Sequence, residues 1–174
     1  MAQNDSLWST HLALGYVSLY QQQYEQAVAE MERAVALPPN WAESYALLAE
    51  VLSWVGRADE ALRAAEQALR LKSIVADRHL YPIGIAYALA GRYAEALAFL
   101  KQYLSRYPDI LGAHLALAAV YSELGKAAEA RAEAAEVPRI NPKFSLEVHK
   151  QRAPIKDPAM LERHIAALRK AGLK

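Results

Sequence analysis

Apolar residues recur along this chain at intervals of three and four, in runs broken by short polar turns, and that spacing predicts helix throughout. Alanine supplies about a fifth of the residues and β-branched residues are thin, which favours helix further because alanine loses no side-chain entropy there. The runs are copies of one another. Tyr24-Glu25-Gln26-Ala27, Ala58-Asp59-Glu60-Ala61, Tyr93-Ala94-Glu95-Ala96 and Ala127-Ala128-Glu129-Ala130 end in alanines 34, 35 and 34 residues apart. The same offsets link Leu14-Gly15, Leu48-Ala49, Ile83-Gly84 and Leu117-Ala118, and again Pro39, Ser73, Pro108 and Pro142. Gly56, Gly91 and Gly125 stand between paired runs, with Gln22 in the first copy. A helix–turn–helix unit repeated four times follows.

Each column has a physical reason. Gly15, Ala49, Gly84 and Ala118 fall mid-way along the first helix of a unit, and Ala27, Ala61, Ala96 and Ala130 early in the second. Small residues on both sides let two antiparallel helices approach closely. Met31, Ala65, Leu100 and Ala134 continue the second helix's buried stripe. The late proline ends the second helix. Each pair leaves an apolar face that only a stacked neighbour covers.

These columns resemble the tetratricopeptide repeat, a 34-residue unit with small residues at positions 8, 20 and 27 and proline at 32. The resemblance covers residues 8 to about 142. It implies an all-α fold, a right-handed superhelix (α-solenoid) of four helix pairs, at about 8–41, 42–75, 77–110 and 111–144 by register. Departures are His11, Tyr45, Leu80 and His114 at position 4, Tyr103 and Val137 at position 27, and Ser73 in place of the second proline. One extra residue near Ser73 to Ala76 predicts a looser junction between the second and third units. Pro82 predicts a late or bent first helix in the third unit, and Pro138 a shortened last helix in the fourth.

Residues 143–174 read as C-terminal capping helices. Ser145 can cap a helix over Leu146 to Gln151, and Asp157-Pro158 is an N-cap followed by proline at the first helical position. A final helix then runs to Ala171 with Leu161, Ile165 and Leu168 on one face. Gly172 supplies a left-handed stop with Leu173 placed to touch Leu168. Packing on the fourth repeat is the expected use of that face; docking on another protein or domain is the alternative.

Composition narrows function chiefly by exclusion. Twenty Lys and Arg against nineteen Asp and Glu leave a charge of +1, giving no field to recruit nucleic acid or an anionic membrane. Zero cysteines removes disulfides, thiolate metal sites and thiol nucleophiles, and suits a reducing, cytoplasmic setting. No signal-like or membrane-spanning stretch stands out. No phosphate-binding loop, metal-ligand pair or catalytic dyad is legible, so no catalytic residue, cofactor or metal is assigned. His11 and His114 are expected as partly buried structural histidines. His79, His149 and His164 are expected on the solvated surface.

What the resemblance leaves is surface. In tetratricopeptide repeats the concave face is lined by first helices, which here places Leu12, Tyr16, Leu19 and Tyr20, then Glu43, Ala46, Glu50, Ser53 and Trp54. Arg78, Tyr81, Ile85, Ala88 and Leu89 follow, then Leu115, Ala119, Ser122 and Glu123. The expected peptide groove is Leu12, Tyr16, Tyr20, Glu50, Trp54, Arg78, Tyr81, Ile85 and Leu115, apolar and aromatic, with Glu43, Glu50, Arg78 and Glu123 at its rim. Leu12 and Tyr16 stand where a carboxylate clamp would carry lysine and asparagine, which argues against a chaperone-tail clamp. Aromatic rings in a concavity suit a helical or apolar peptide. Packing between helices competes for the same rings, on equal terms for Tyr20 and Trp54, with Tyr16 favoured as a groove residue.

A closer likeness joins Gly84-Ile85-Ala86-Tyr87, Gly91 to Ala96, Ala113 to Gly125 and the tail segments Asn141 to Glu147, Lys156-Asp157-Pro158 and Leu168 to Leu173. These are similar to the repeats that end bacterial class III adenylate/guanylate cyclases and related TolB-like or winged-helix regulators. That likeness implies a non-catalytic regulatory or scaffolding part of a larger signalling protein, its cyclase domain outside these residues. A free-standing adaptor that binds an apolar or helical peptide is the alternative. Partners would be a protein segment or a parent protein's other domains, with a homodimer also allowed.

Overall fold

A computed structural model describes residues 2–37, 41–71 and 77–174. Among these it places ten α-helices: α1 (Ala2–Tyr20), α2 (Tyr24–Val35), α3 (Trp41–Val55), α4 (Ala58–Leu71), α5 (Leu80–Leu89), α6 (Tyr93–Arg106), α7 (Leu111–Glu123), α8 (Ala127–Ile140), α9 (Leu146–Arg152) and α10 (Pro158–Lys170). The first eight pack as pairs, α1 on α2 through α7 on α8, and each pair stacks on the next through α2 on α3, α4 on α5 and α6 on α7. The result is an all-helical tetratricopeptide-type solenoid.

The same turn is built four times. Gly56, Gly91 and Gly125 sit at φ of 86°, 75° and 71°, and Gln22 takes the same left-handed backbone at 61°. The following residue then donates its N–H five residues back, Gln23 to Ser18, Arg57 to Leu52, Arg92 to Tyr87 and Lys126 to Tyr121, at 2.8–2.9 Å. These bonds satisfy carbonyls that each first helix would otherwise leave without a donor.

The small-residue columns set the closeness of each pair. Ala27, Ala61, Ala96 and Ala130 are buried, as are Ala49 and Ala118. A Cβ on Gly84 would stand 2.8 Å from Leu100 Cγ, and one on Gly15 2.9 Å from Met31 Cε. Leu100 and Met31 therefore fill the space that glycine leaves, and both are fully buried.

Position 4 carries a recurrent polar bridge. His11 Nδ1 meets Glu30 Oε2 at 2.6 Å and His114 Nδ1 meets Glu133 Oε2 at 2.7 Å, both pairs nineteen residues apart. His114 Nε2 also lies 2.8 Å from the Pro108 carbonyl. The equivalent positions in the middle repeats are Tyr45 with Ala64 and Leu80 with Phe99, so the histidine–glutamate bridge stands only in the two terminal pairs.

The prolines act unequally. A 3₁₀ turn over Asp77–His79 precedes α5, which begins only at Leu80, so Pro82 falls in its first turn where its missing N–H is not needed. Pro138 does not shorten α8, contrary to expectation. The helix runs on to Ile140, with the proline itself exposed, and lacks only the hydrogen bond that its N–H would have given to the Ala134 carbonyl. Pro108 and Pro142 lie two residues beyond the ends of α6 and α8. Pro39, Ser73 and the junction at Ser73 to Ala76 lie outside the described residues.

The C-terminal segment folds back over the solenoid. Ser145 caps α9 by accepting from the Val148 N–H at 3.4 Å, and Asp157 caps α10 by accepting from Ala159 at 2.9 Å. Ile165 and Leu168 are buried where α10 packs along α7, with Leu161 partly so. Gly172 at φ 106° reverses the chain, Leu173 donates to the Leu168 carbonyl at 3.2 Å, and Leu146 donates to the Lys174 carbonyl at 2.7 Å. Between the two helices, residues 153–157 reach back to the second repeat, where the Lys156 N–H bonds the Trp54 carbonyl at 3.0 Å. The tail thus lies along repeats two to four, and its Lys156 side chain reaches Glu25 of the first. No described helix is long and apolar enough to cross a membrane.

Candidate functional site

The first helices α1, α3, α5 and α7 and the returning tail enclose a cavity of about 280 Å³. Its solenoid wall includes Tyr20, Glu50, Trp54, Tyr81, Ile85 and Leu115, six of the nine expected groove residues. Its other wall is Pro154 and Ile155 of the returning segment with Met160, Arg163 and His164 of α10. The tail is therefore part of the site, a feature that repeat register could not reveal because the tail lies outside the repeat.

Three expected groove residues stand elsewhere. Leu12 packs into the core formed by the first three repeats. Arg78 is largely exposed and pairs with Glu43 at 3.1 Å, away from the cavity. Tyr16 also packs on that core, and its hydroxyl donates to Glu50 Oε2 at 2.6 Å. Leu19, Ala46, Ser53 and Ser122, expected along the concave face, are buried between helices. Of the rings weighed between groove and core, Tyr20 is exposed, while Trp54 is half-buried and touches both halves of the core as well as the cavity.

Glu50 is not a rim charge. It is half-buried in the cavity wall, and loss of water around it pushes its carboxyl up from the ordinary value, against opposing contacts from the Tyr16 hydroxyl and the Trp54 indole. Burial likewise raises the Tyr16 and Tyr81 phenols well above 10, and the Glu50 charge adds to both. Those tyrosines stay neutral hydrogen-bond donors at any physiological pH.

The histidines depart from expectation. His79 is buried beside Glu43, its Nε2 3.1 Å from Oε1. His149 and His164 are not solvated surface groups. Their Nε2 atoms lie 3.2 Å apart across α9 and α10, and the His149 ring also stacks near Phe144. Burial, followed by the neighbouring His149, pushes His164 down to about 4. A contact fifteen residues apart in the tail carries no repeat signal, which is why spacing on one helix missed it. Among the described residues no third His, Cys, Asp or Glu completes a metal-binding group there.

Three family models, each described as tetratricopeptide repeat, match residues 9–40, 41–79 and 87–153. Among curated proteins none matches this sequence. A structure of PilF from Pseudomonas aeruginosa is 21% identical, covers 99% of this chain and 79% of its own, and superposes with a TM-score of 0.67. PilW, described as a widely conserved type IV pilus biogenesis factor, is 17% identical over 94% of this chain and 73% of its own, with a TM-score of 0.65. A MamA structure is 15% identical over 96% and 91%, with a TM-score of 0.59. At these identities the structures speak for the fold, and the expected kinship with cyclase-linked repeats receives no support from the comparisons. The three matched segments, the four turns and the shared solenoid agree: this chain belongs to the tetratricopeptide repeat family.

Proposed function

We propose that this chain is a non-catalytic adaptor that holds a segment of a partner protein in the concave cavity between the first helices and α10. The observation that supports it most is the wall itself: Tyr20, Trp54 and Tyr81, from three successive first helices, face one cavity together with Ile85 and Leu115. Rings of this kind bury large area at low rotamer cost and are enriched where proteins recognise peptides. The reading as a regulatory piece of a nucleotide cyclase rests on residue likeness in the third and fourth repeats and the tail alone, and the adaptor reading is preferred to it.

The test is a peptide library screened by calorimetry against the whole chain, with Trp54→Ala and Tyr81→Ala measured in parallel for affinity and melting temperature. Loss of about 1–3 kcal/mol of binding on truncating either ring would support the groove. Loss of stability in both, with affinity unchanged, would move the functional surface elsewhere.

A further inference from the structure

Glutamates drawn into this fold mostly have a basic side chain as partner. Glu30 is held by His11 and Arg33, Glu43 by Arg78 and His79, and Glu133 by His114. Glu50 is the exception that faces a cavity. Its contacts are the Tyr16 hydroxyl and the Trp54 indole, and among the described residues no Lys, Arg or His pairs with it. Arg163 lines the same cavity from α10 without reaching the carboxylate in an ion pair. Around Glu50 stand Tyr20 and Tyr81, close enough for its charge to act on both phenols.

A carboxylate taken out of water without a counter-charge is costly, and the cost is relieved by a cation that enters. Aromatic faces attract the same cation through their quadrupoles, more strongly once it is desolvated. A cavity of about 280 Å³ falls at the lower edge of the roughly 300–1,000 Å³ occupied by drug-sized ligands, and suits one long side chain.

We propose that Glu50, with the rings of Tyr20, Trp54 and Tyr81, is the receptor for one basic side chain, lysine or arginine, of the peptide held in the concave cavity. This rests on the groove reading above and adds the partner's chemistry to it: an apolar segment carrying a single cation that reaches Glu50.

The probes are n-butylammonium, n-butylguanidinium and, as the neutral control, 1-pentanol. Each is titrated into the whole chain at fixed ionic strength while the Trp54 indole N–H resonance is followed by NMR. Either cation should shift that resonance saturably, and 1-pentanol should not. Glu50→Gln keeps the size of the side chain and an acceptor for the Tyr16 hydroxyl, and should weaken cation binding at least about tenfold. Equal binding of 1-pentanol and the cations by the unsubstituted chain would overturn the proposal without reference to any variant, as would unchanged cation binding by a folded Glu50→Gln chain. The library separates this from the groove reading. Peptides that bind with no preference for a basic residue leave the groove standing and overturn the receptor. Glu50-dependent cation binding with no peptide bound in the library leaves the cation pocket standing and overturns the peptide as its source.

Discussion

The backbone N–H of Lys156 donates to the Trp54 carbonyl at 3.0 Å, joining residues more than a hundred positions apart and bringing the tail down on the end of α3. The Lys156 ammonium extends the same contact to Glu25 at 2.7 Å and lies 5.7 Å from the Tyr24 ring centre. Removing residues 153–174 should therefore do two things at once. It strips Ile165, Leu168 and Leu173 from the fourth repeat, exposing apolar surface, and it takes away one wall of the cavity. The expected outcome is a lower melting temperature together with binding of an apolar dye. An unchanged melt would mean that the tail contributes no stability to the solenoid.

Glycine in the small-residue column is predicted to matter unequally. A methyl on Gly84 would meet the branch-point Cγ of Leu100 at 2.8 Å and Cδ2 at 2.9 Å, with the Leu100 backbone nitrogen 3.5 Å away, so the clash falls close to the backbone of α6. A methyl on Gly15 meets the terminal Cε of Met31, the far end of a flexible side chain. Gly84→Ala should cost about 1–3 kcal/mol of stability, and Gly15→Ala clearly less, in paired urea unfolding curves. Equal costs would show that the two pairs relax alike.

The repeat was legible because its determinants are local and periodic. A left-handed turn needs Gly56, Gly91 and Gly125, and a close helix pair needs Ala27, Ala61, Ala96 and Ala130, so both leave a mark at a fixed offset. Repeat register also found six residues of the cavity wall, since a first-helix position keeps its orientation from copy to copy. It failed where a residue is defined by a partner that the repeat does not carry. His149 and His164 face each other through a fold of the tail, and Glu50 left the rim because Tyr16, one repeat earlier, draws its carboxylate inward. Pro138 misled for a different reason: a proline near a helix end, on the wet side, removes one hydrogen bond without ending the helix.

The His149–His164 contact predicts an acid-sensitive component of stability. His164 sits at about 4 in the folded chain against 6.5 ordinarily, so below 6.5 the unfolded chain takes up a proton that the folded one refuses. Stability from this residue is complete above about pH 6.5 and falls as the pH drops toward 4. By linkage the loss reaches about 2–3 kcal/mol near pH 4.5. Glu50, raised by burial, contributes with the opposite sign, losing stability as the pH rises, so the effect is read as a difference between chains. Urea midpoints at pH 7.5 and 4.5 should converge more for His164→Gln than for the unsubstituted protein. Parallel shifts in both would remove His164 from the acid response.

Gln22 is the one residue that takes the repeat's left-handed turn without being glycine. At φ 61° its Cβ crowds the backbone, a conformation that ordinarily costs a side-chain-bearing residue roughly 1–2 kcal/mol, and Gly56, Gly91 and Gly125 avoid that cost at the matching places. Gln22→Gly relieves the crowding but gives the unfolded chain more freedom, which offsets part of the gain. The net expectation is a stabilisation of about 0.5–1 kcal/mol. Gly91→Ala, where the space is open and only the backbone objects, should destabilise by a similar amount. Opposite shifts in the urea midpoints of the two variants would tie both to the backbone angle. A loss of stability in Gln22→Gly would instead show that the glutamine side chain contributes more than its backbone costs.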